Sequence, residues 1–194
     1  MVGVTGFLAA SPAPGQDLDP QLQEIRTLLR EKRYPVALES LRLVARQIQE
    51  MRLEVVTPAF PSAPAGWSAL TAISLLEEDE IWSSRIAAQR AYVATAGSAR
   101  LDITIDVHSP FGPAVALAFN PLVVAGDPRS RLVPLGQETA LLRFNPDTGE
   151  GELRVLIARE TIVTARGRGI ASPDLLITFA RGIDFVLLHR ASGL

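Results

Sequence analysis

The stretch 101-LDITIDV-107 decides the fold of this chain. Apolar residues occupy every second position of it: Leu101, Ile103, Ile105 and Val107. Polar residues fill the other positions, and the set continues one step further: Asp102, Thr104, Asp106 and His108. Because successive side chains of a β-strand point to opposite faces, this alternation predicts a strand with one buried face and one face in water.

More strands are predicted on the C-terminal side. Residues 140–145 (ALLRFN) and 152–158 (ELRVLIA) flank NPDTGEG, whose proline, aspartate and glycines favour a turn, so we expect a β-hairpin. Residues 161–166 (TIVTAR) predict a further strand. Short strands joined by short turns pair in sequence, which indicates an antiparallel sheet.

A helix is predicted to cover this sheet. Ser172, Pro173 and Asp174 form a helix start. The apolar side chains that follow lie on one side of the predicted helix: Leu176, Phe179, Ala180, Ile183 and Leu187. The sequence therefore predicts an α+β domain over residues 68–194, with an antiparallel sheet and a C-terminal helix.

Two helices are predicted before this domain, as a hairpin over residues 19–54. Asp19 and Pro20 start the first helix, which we expect to end near Arg33, and Pro35 starts the second. The apolar stripe of the second helix is Leu38, Leu41, Val44, Ala45, Ile48 and Met51. A single hairpin cannot bury its own apolar face, so we expect it to dock on something else.

Residues 55–67 are predicted to be a linker. Pro58, Pro61 and Pro64 recur at every third position, which favours an extended polyproline II conformation. A proline-motif ligand for a partner domain is the alternative, although the basic flanks typical of such ligands are missing. Trp67 is expected to anchor the end of the linker in the following domain.

The first 18 residues predict either a remnant of a secretory signal or a disordered leader. They contain a short apolar stretch and small residues, but no basic residues precede that stretch. A periplasmic location is the expectation, with the cytoplasm left open. No later segment is apolar for long enough to predict a membrane-spanning helix.

Composition narrows the function classes. The 194 residues include 19 Lys and Arg against 21 Asp and Glu, a formal charge of −2 that gives no general attraction for nucleic acid. Cysteine is absent from the sequence, which excludes disulfides, thiolate metal sites and cysteine nucleophiles. We expect no cofactor.

The pentapeptide 106-DVHSP-110 brings together the residue types of a hydrolase. On a strand Asp106 and His108 share a face while Ser109 points away, so the three side chains do not form a chain from nucleophile to base to orienting acid. We therefore assign no catalytic residue and interpret the motif as a strand end. Ser109 and Pro110 are instead expected to cap a short helix over residues 111–119, and His189 is the only other histidine.

Three charged clusters receive similar interpretations. The run Glu77, Glu78, Asp79 and Glu80 and the set Asp147, Glu150 and Glu152 lack the spacing of calcium loops, so no metal ligand is assigned. The stretch 166-RGRG-169 lacks a phosphate-binding fingerprint and predicts a turn from strand to helix with exposed arginines. The mixed charges of the hairpin, with Arg46 and Glu50 four residues apart, predict its solvated face.

The order of several short motifs resembles a family of uncharacterised proteobacterial proteins. The motifs are RYPVALESL at 33–41, AGW at 65–67, RAY at 90–92, HSP at 108–110, FNP at 119–121, GQ at 136–137, GEGEL at 149–153, ARG at 165–167 and GIDF at 182–185. The resemblance covers nearly the whole chain and implies a periplasmic protein, faintly similar in fold to Mog1/PsbP-like domains. It implies no activity or catalytic residue, and the leader departs from it by lacking a basic start.

Two functions are expected from these features. The first is a non-catalytic binding or interaction module of the bacterial envelope, with a protein partner or a second copy of the chain. The alternative is a carrier of a small molecule or lipid, in which residues 114–119 and 122–124 line an apolar pocket between helix and sheet.

Overall fold

The computed structural model describes residues 18–193, without the side chains of Glu78 and Asp79. The predicted leader therefore lies outside the described residues except for Leu18. The described residues divide into two compact units, with the boundary between Met51 and Arg52.

The first unit contains the predicted helical hairpin. Helix α1 spans Asp19–Arg30, and helix α2 spans Tyr34–Val56 and thus crosses the boundary between the units. Helix α1 ends before Arg33 because Lys32 adopts a left-handed conformation and the Arg33 amide donates to the Leu28 carbonyl at 2.9 Å. The hairpin is confirmed, and its first helix is shorter than predicted.

The apolar stripe predicted on α2 is only partly buried. Val44 and Ala45 are buried, whereas Leu38 is 60% exposed and Ile48 and Met51 are each 41% exposed. A stripe of this width exceeds what one neighbouring helix covers. The hairpin therefore keeps large apolar side chains in contact with water.

The second unit is built on one antiparallel sheet. Its strands are β1 Trp67–Ala69, β2 Ile73–Ser74, β3 Ile86–Ala94, β4 Arg100–Val107, β5 Ser130–Leu135, β6 Glu138–Asn145, β7 Glu150–Ile157 and β8 Thr161–Arg168. Their order across the sheet is β1-β3-β4-β8-β7-β6-β5, and β2 also pairs with β3. The predicted antiparallel sheet is confirmed, with the predicted hairpin as β6 and β7.

Strand β4 lies inside the sheet, between β3 and β8. The apolar side chains of 101-LDITIDV-107 are fully buried, as the alternation predicts. Opposite Ile103 and Ile105 stand Ala165 and Val163 of β8, which are also buried. One face of the sheet therefore carries the hydrophobic core.

Residues 55–67, predicted as a linker, belong to this unit and pack into its core. After a 3₁₀ turn at Thr57–Ala59, Phe60 is buried and the Pro61 carbonyl accepts a hydrogen bond from the Tyr92 hydroxyl at 2.7 Å. Trp67 meets the ring of Phe179 edge to face, with 5.4 Å between centroids. Trp67 thus anchors this segment as predicted, because its ring reaches the core.

The predicted C-terminal helix is divided in two. Helix α5 spans Asp174–Arg181 and helix α6 spans Phe185–Ala191. The second helix starts at Asp184, whose carboxylate accepts a hydrogen bond from the Leu187 amide at 2.9 Å. Apolar residues of both helices enter the core, so the covering of the sheet is confirmed.

Two short helices follow β4. Helix α3 spans Gly112–Ala118, close to the prediction, but no side chain caps it; the Ser109 hydroxyl accepts only from the Phe111 amide, at 3.4 Å. Helix α4 spans Pro121–Ala125 and was not predicted; its cap is Asn120. An asparagine followed by proline ends one helix and starts the next.

Strand β5 is an edge of the sheet. It contains Pro134, which stands opposite Thr139 of β6 and has no amide hydrogen to donate.

Among the described residues, no helix combines the length and the hydropathy that a membrane span requires.

Candidate functional site

Asp106 is buried, although the alternation of β4 predicts that its side chain faces solvent. It is 8% exposed, and its carboxylate accepts from Arg85 Nε at 2.7 Å and from Arg85 Nη2 at 3.1 Å. Arg85 also reaches Glu80 at 2.7 Å. The guanidinium covers the carboxylate from solvent, and hydrogen bonding to Asp106 is the main reason that the pKa of Arg85 is raised.

His108 and Ser109 have other partners. Strand β4 ends at Val107, and His108 takes a left-handed conformation with its Nδ1 3.3 Å from Glu160 Oε1. Ser109 is buried, and its amide donates to the Glu160 carbonyl at 2.7 Å. Arg85 thus holds Asp106, whereas Glu160 contacts both His108 and Ser109. Among the described residues, no hydrogen bond joins the side chains of Asp106, His108 and Ser109 to one another, as a chain from nucleophile to base to orienting acid would require.

The acidic clusters also have structural roles. Glu77 and Glu80 form a reciprocal capping box around the 3₁₀ turn at Glu78–Trp82. The hydrogen bond from the Glu77 amide is the main cause of the lowered pKa of Glu80. In the part of the chain that the structure describes, histidines and acids nowhere form a group of three or more that could hold a metal ion.

The 166-RGRG-169 stretch continues β8 to Arg168, so the predicted turn starts only at Gly169. Arg166 and Arg168 are exposed and line an open groove of about 350 Å³. Arg166 and Arg154 both bind Glu152, at 2.8 Å and 2.7 Å. Much of the positive charge on this face is therefore neutralised by the sheet's own acids.

A second cavity has a different character. It has a volume of about 500 Å³ and lies between the β5–β6 turn and the corner that joins α5 to α6. We name it the α6 cleft and define it by six of its lining residues: Leu135, Glu138, Arg181, Ile183, Phe185 and His189. A volume of this size is typical of small-molecule sites.

The α6 cleft combines apolar walls with a few charged groups. His189 Nε2 lies 2.7 Å from Glu138 Oε1, and the Glu138 side chain is only 16% exposed. Asp184 lines the same cleft, with one carboxylate oxygen engaged in capping α6. Arg181 is exposed, and no described residue forms an ion pair or hydrogen bond with its side chain. The cleft thus offers an available cation and two acids beside apolar surface.

The residues predicted to line a carrier pocket lie elsewhere. Residues 114–118 belong to α3, Phe119 follows that helix, and residues 122–124 belong to α4. Leu117 is 72% exposed and Leu122 is 83% exposed. A cavity between a helix and the sheet lies at α6.

Sequence patterns give little indication of the α6 cleft. Glu138 and His189 are 51 positions apart, and they meet only because α6 packs beside the β5–β6 turn. The one available signal was the polar position of His189 in an otherwise apolar segment.

The comparisons with known proteins identify no relative. The chain matches no family model, and no curated protein or solved structure has significant similarity to it.

Proposed function

We propose that this protein is a non-catalytic interaction module of the bacterial envelope that self-associates through its helical hairpin. The observation that carries the proposal is the exposure of Leu38, Ile48 and Met51 on α2. Several large apolar side chains left in water on one helix favour burial against a partner.

The spacing of these residues favours another helix as the partner. Apolar residues recur on α2 at intervals of four, three, four and three: Tyr34, Leu38, Leu41, Ala45 and Ile48. This is the spacing at which helices pack side by side with interlocking side chains. Ala45 is already buried within the chain, and the side chains that remain exposed are Tyr34, Leu38 and Ile48. Two hairpins that join along this stripe form a four-helix bundle, a stable solution for an amphipathic helix pair.

A second copy of the chain fits the charges beside the stripe. Glu39 and Arg42 lie 3.6 Å apart as an ion pair on the exposed surface of α2, so both signs of charge are present together. Two identical surfaces of mixed charge do not repel each other as two surfaces of one sign would. Identical surfaces also join readily around a two-fold axis.

The non-catalytic part of the proposal is supported by the contacts of Asp106, which binds Arg85, and of His108 and Ser109, which both contact Glu160 and are not hydrogen-bonded to Asp106 in the described part of the chain. The envelope location is supported by the motif order that resembles a family expected in the periplasm. Cell fractionation of the full chain with its natural N-terminus tests the location: recovery with periplasmic markers supports it, and recovery with cytoplasmic markers contradicts it.

Measurement of molar mass by light scattering over a range of concentrations tests self-association. We expect a dimer for the natural protein and a monomer for the double variant Leu38→Glu, Ile48→Glu. Both side chains are exposed, so these changes leave the fold of the monomer intact. The matched control is Leu117→Glu, Leu122→Glu, which changes two exposed leucines of α3 and α4 and is expected to remain dimeric.

Three outcomes would contradict the proposal. The natural protein could remain a monomer at hundreds of micromolar, the hairpin variant could remain a dimer, or the control could become a monomer. A monomeric control would indicate that the interface lies on α3 and α4.

A further inference from the structure

We infer that the α6 cleft binds a short zwitterionic peptide with apolar side chains. This site is independent of the hairpin and of self-association. Three observations carry the inference: the apolar wall of a half-open cavity, an arginine that forms no hydrogen bond or ion pair with any described residue, and two carboxylates in the same lining.

The apolar wall accommodates the side chains of such a ligand. Leu135 and Ile183 are buried at the cleft, Phe185 is half-buried, and Val186 is 62% exposed beside them. Exposed valine next to buried apolar residues leaves surface that a ligand can remove from water. A cavity of about 500 Å³ exceeds the size of one amino acid and suits two or three residues.

The carboxylate of the ligand is assigned to Arg181. A guanidinium can bind a carboxylate through two parallel hydrogen bonds, and Arg181 forms no ion pair with any acid of the described residues. Arg166 of the open sheet face differs in this respect, since it already binds Glu152.

The ammonium group of the ligand is assigned to the acids of the cleft. Glu138 uses Oε1 for His189, and Asp184 uses Oδ1 for the Leu187 amide. The other oxygen of each carboxylate has no hydrogen-bond partner in the described part of the protein. A carboxylate oxygen accepts readily from an ammonium group. A cleft that carries both a cation and acids should bind a zwitterion more tightly than an anion or a cation, because only the zwitterion pairs with both kinds of group.

Calorimetric titration of the full chain with three peptides tests the inference. The probes are Leu-Leu, N-acetyl-Leu-Leu, which lacks the ammonium group, and Leu-Leu amide, which lacks the carboxylate. We expect Leu-Leu to bind best, with each blocked peptide weaker by about tenfold, since a lost charge-assisted contact has an effect of this order.

Two variants assign the contacts. Arg181→Gln should bind Leu-Leu about tenfold more weakly while leaving the affinity for Leu-Leu amide unchanged. Glu138→Gln should weaken Leu-Leu but not N-acetyl-Leu-Leu, and a thermal melt of this variant checks that loss of the His189 contact leaves the fold intact. The matched control is Arg190→Gln, an exposed arginine of α6 that is not among the cleft-lining residues.

Equal affinity for all three peptides would overturn the inference, because apolar contacts alone would then account for the binding. Absence of binding for Leu-Leu at millimolar concentration would also overturn it. A loss in Arg190→Gln equal to that in Arg181→Gln would show a general charge effect instead of a site.

Discussion

The hydroxyl of Tyr92 donates a 2.7 Å hydrogen bond to the carbonyl of Pro61. Tyr92 lies on β3 and is fully buried, while Pro61 belongs to the proline-rich segment before the sheet. Because the ring also contacts Phe179 of α5, with 4.8 Å between centroids, one side chain joins strand, helix and proline segment. The proline segment is therefore part of the folded domain.

Tyr92→Phe should lower the free energy of unfolding by about 1 kcal/mol, because the Pro61 carbonyl loses its donor while the ring remains. Chemical denaturation measures the change. Tyr34→Phe is the matched control, since Tyr34 is 54% exposed, and it should have little effect. Equal changes for both variants would contradict a structural role for the Tyr92 hydroxyl.

Alkaline pH should destabilise the protein through the same residue. Burial raises the pKa of Tyr92 to about 12, against a smaller opposite effect of Arg90. A tyrosine in the unfolded chain ionises near pH ~10. The stability that the neutral Tyr92 phenol adds to the folded protein is therefore fully present below pH ~10, where the phenol is neutral in both states. It is lost as the pH rises towards about 12.

This expectation is checked by denaturation at several pH values. The natural protein should lose more stability than Tyr92→Phe across the alkaline range, since the variant has no phenol at this position. Parallel losses in the two proteins would rule out Tyr92 as the cause.

Asp106 and His108 should respond very differently to substitution. Asp106→Asn removes the negative charge that Arg85 holds through two hydrogen bonds, and we expect a loss of about 2 kcal/mol in stability. His108→Asn keeps a residue type that tolerates the left-handed conformation, so its effect should be close to zero. Thermal or chemical denaturation of both variants measures the two changes in stability. A larger loss of stability for His108→Asn than for Asp106→Asn would contradict the assigned roles.

Gly112 should not tolerate a side chain. A Cβ atom at this position would stand 1.8 Å from the carbonyl oxygen of Arg159, which is backbone and cannot turn aside. We expect Gly112→Ala to cost about 2 kcal/mol or more, as overpacking does. Gly126→Ala is the control, because its nearest neighbour would be 3.4 Å away, and a comparable loss there would contradict the argument.

The parts of the fold that were predictable depend on short-range patterns. The alternation in 101-LDITIDV-107 determines which residues face the core, since only one register of a strand buries all its apolar side chains. The turn NPDTGEG determines the β6–β7 hairpin because its residues favour a reversal at that point. Neither inference needs information from distant parts of the chain.

The break between α5 and α6 was present in the sequence but outweighed by the apolar periodicity. Gly182 and Asp184 are a helix-ending and a helix-starting residue two positions apart. Leu176, Phe179 and Ile183 nevertheless continue a helical spacing across them. In the structure, the Asp184 amide donates to the Ala59 carbonyl at 3.1 Å, a contact that requires the chain to leave the helix.

The α6 cleft and the burial of Asp106 depend on contacts between distant residues. Arg85 and Asp106 are 21 positions apart, and Arg85 comes beside Asp106 because it immediately precedes β3, which pairs with β4. The pattern of a strand indicates which side a residue faces. It does not indicate which charged side chain will cover that side.

Pro134 has a consequence for solubility. A free strand edge is a template on which misfolded chains can add in fibrillar aggregates. Because Pro134, the penultimate residue of β5, has no amide hydrogen, that edge cannot complete an uninterrupted ladder with an incoming strand. At the opposite margin, β1 is only three residues long. Both margins of the sheet thus resist the uncontrolled growth that precedes amyloid.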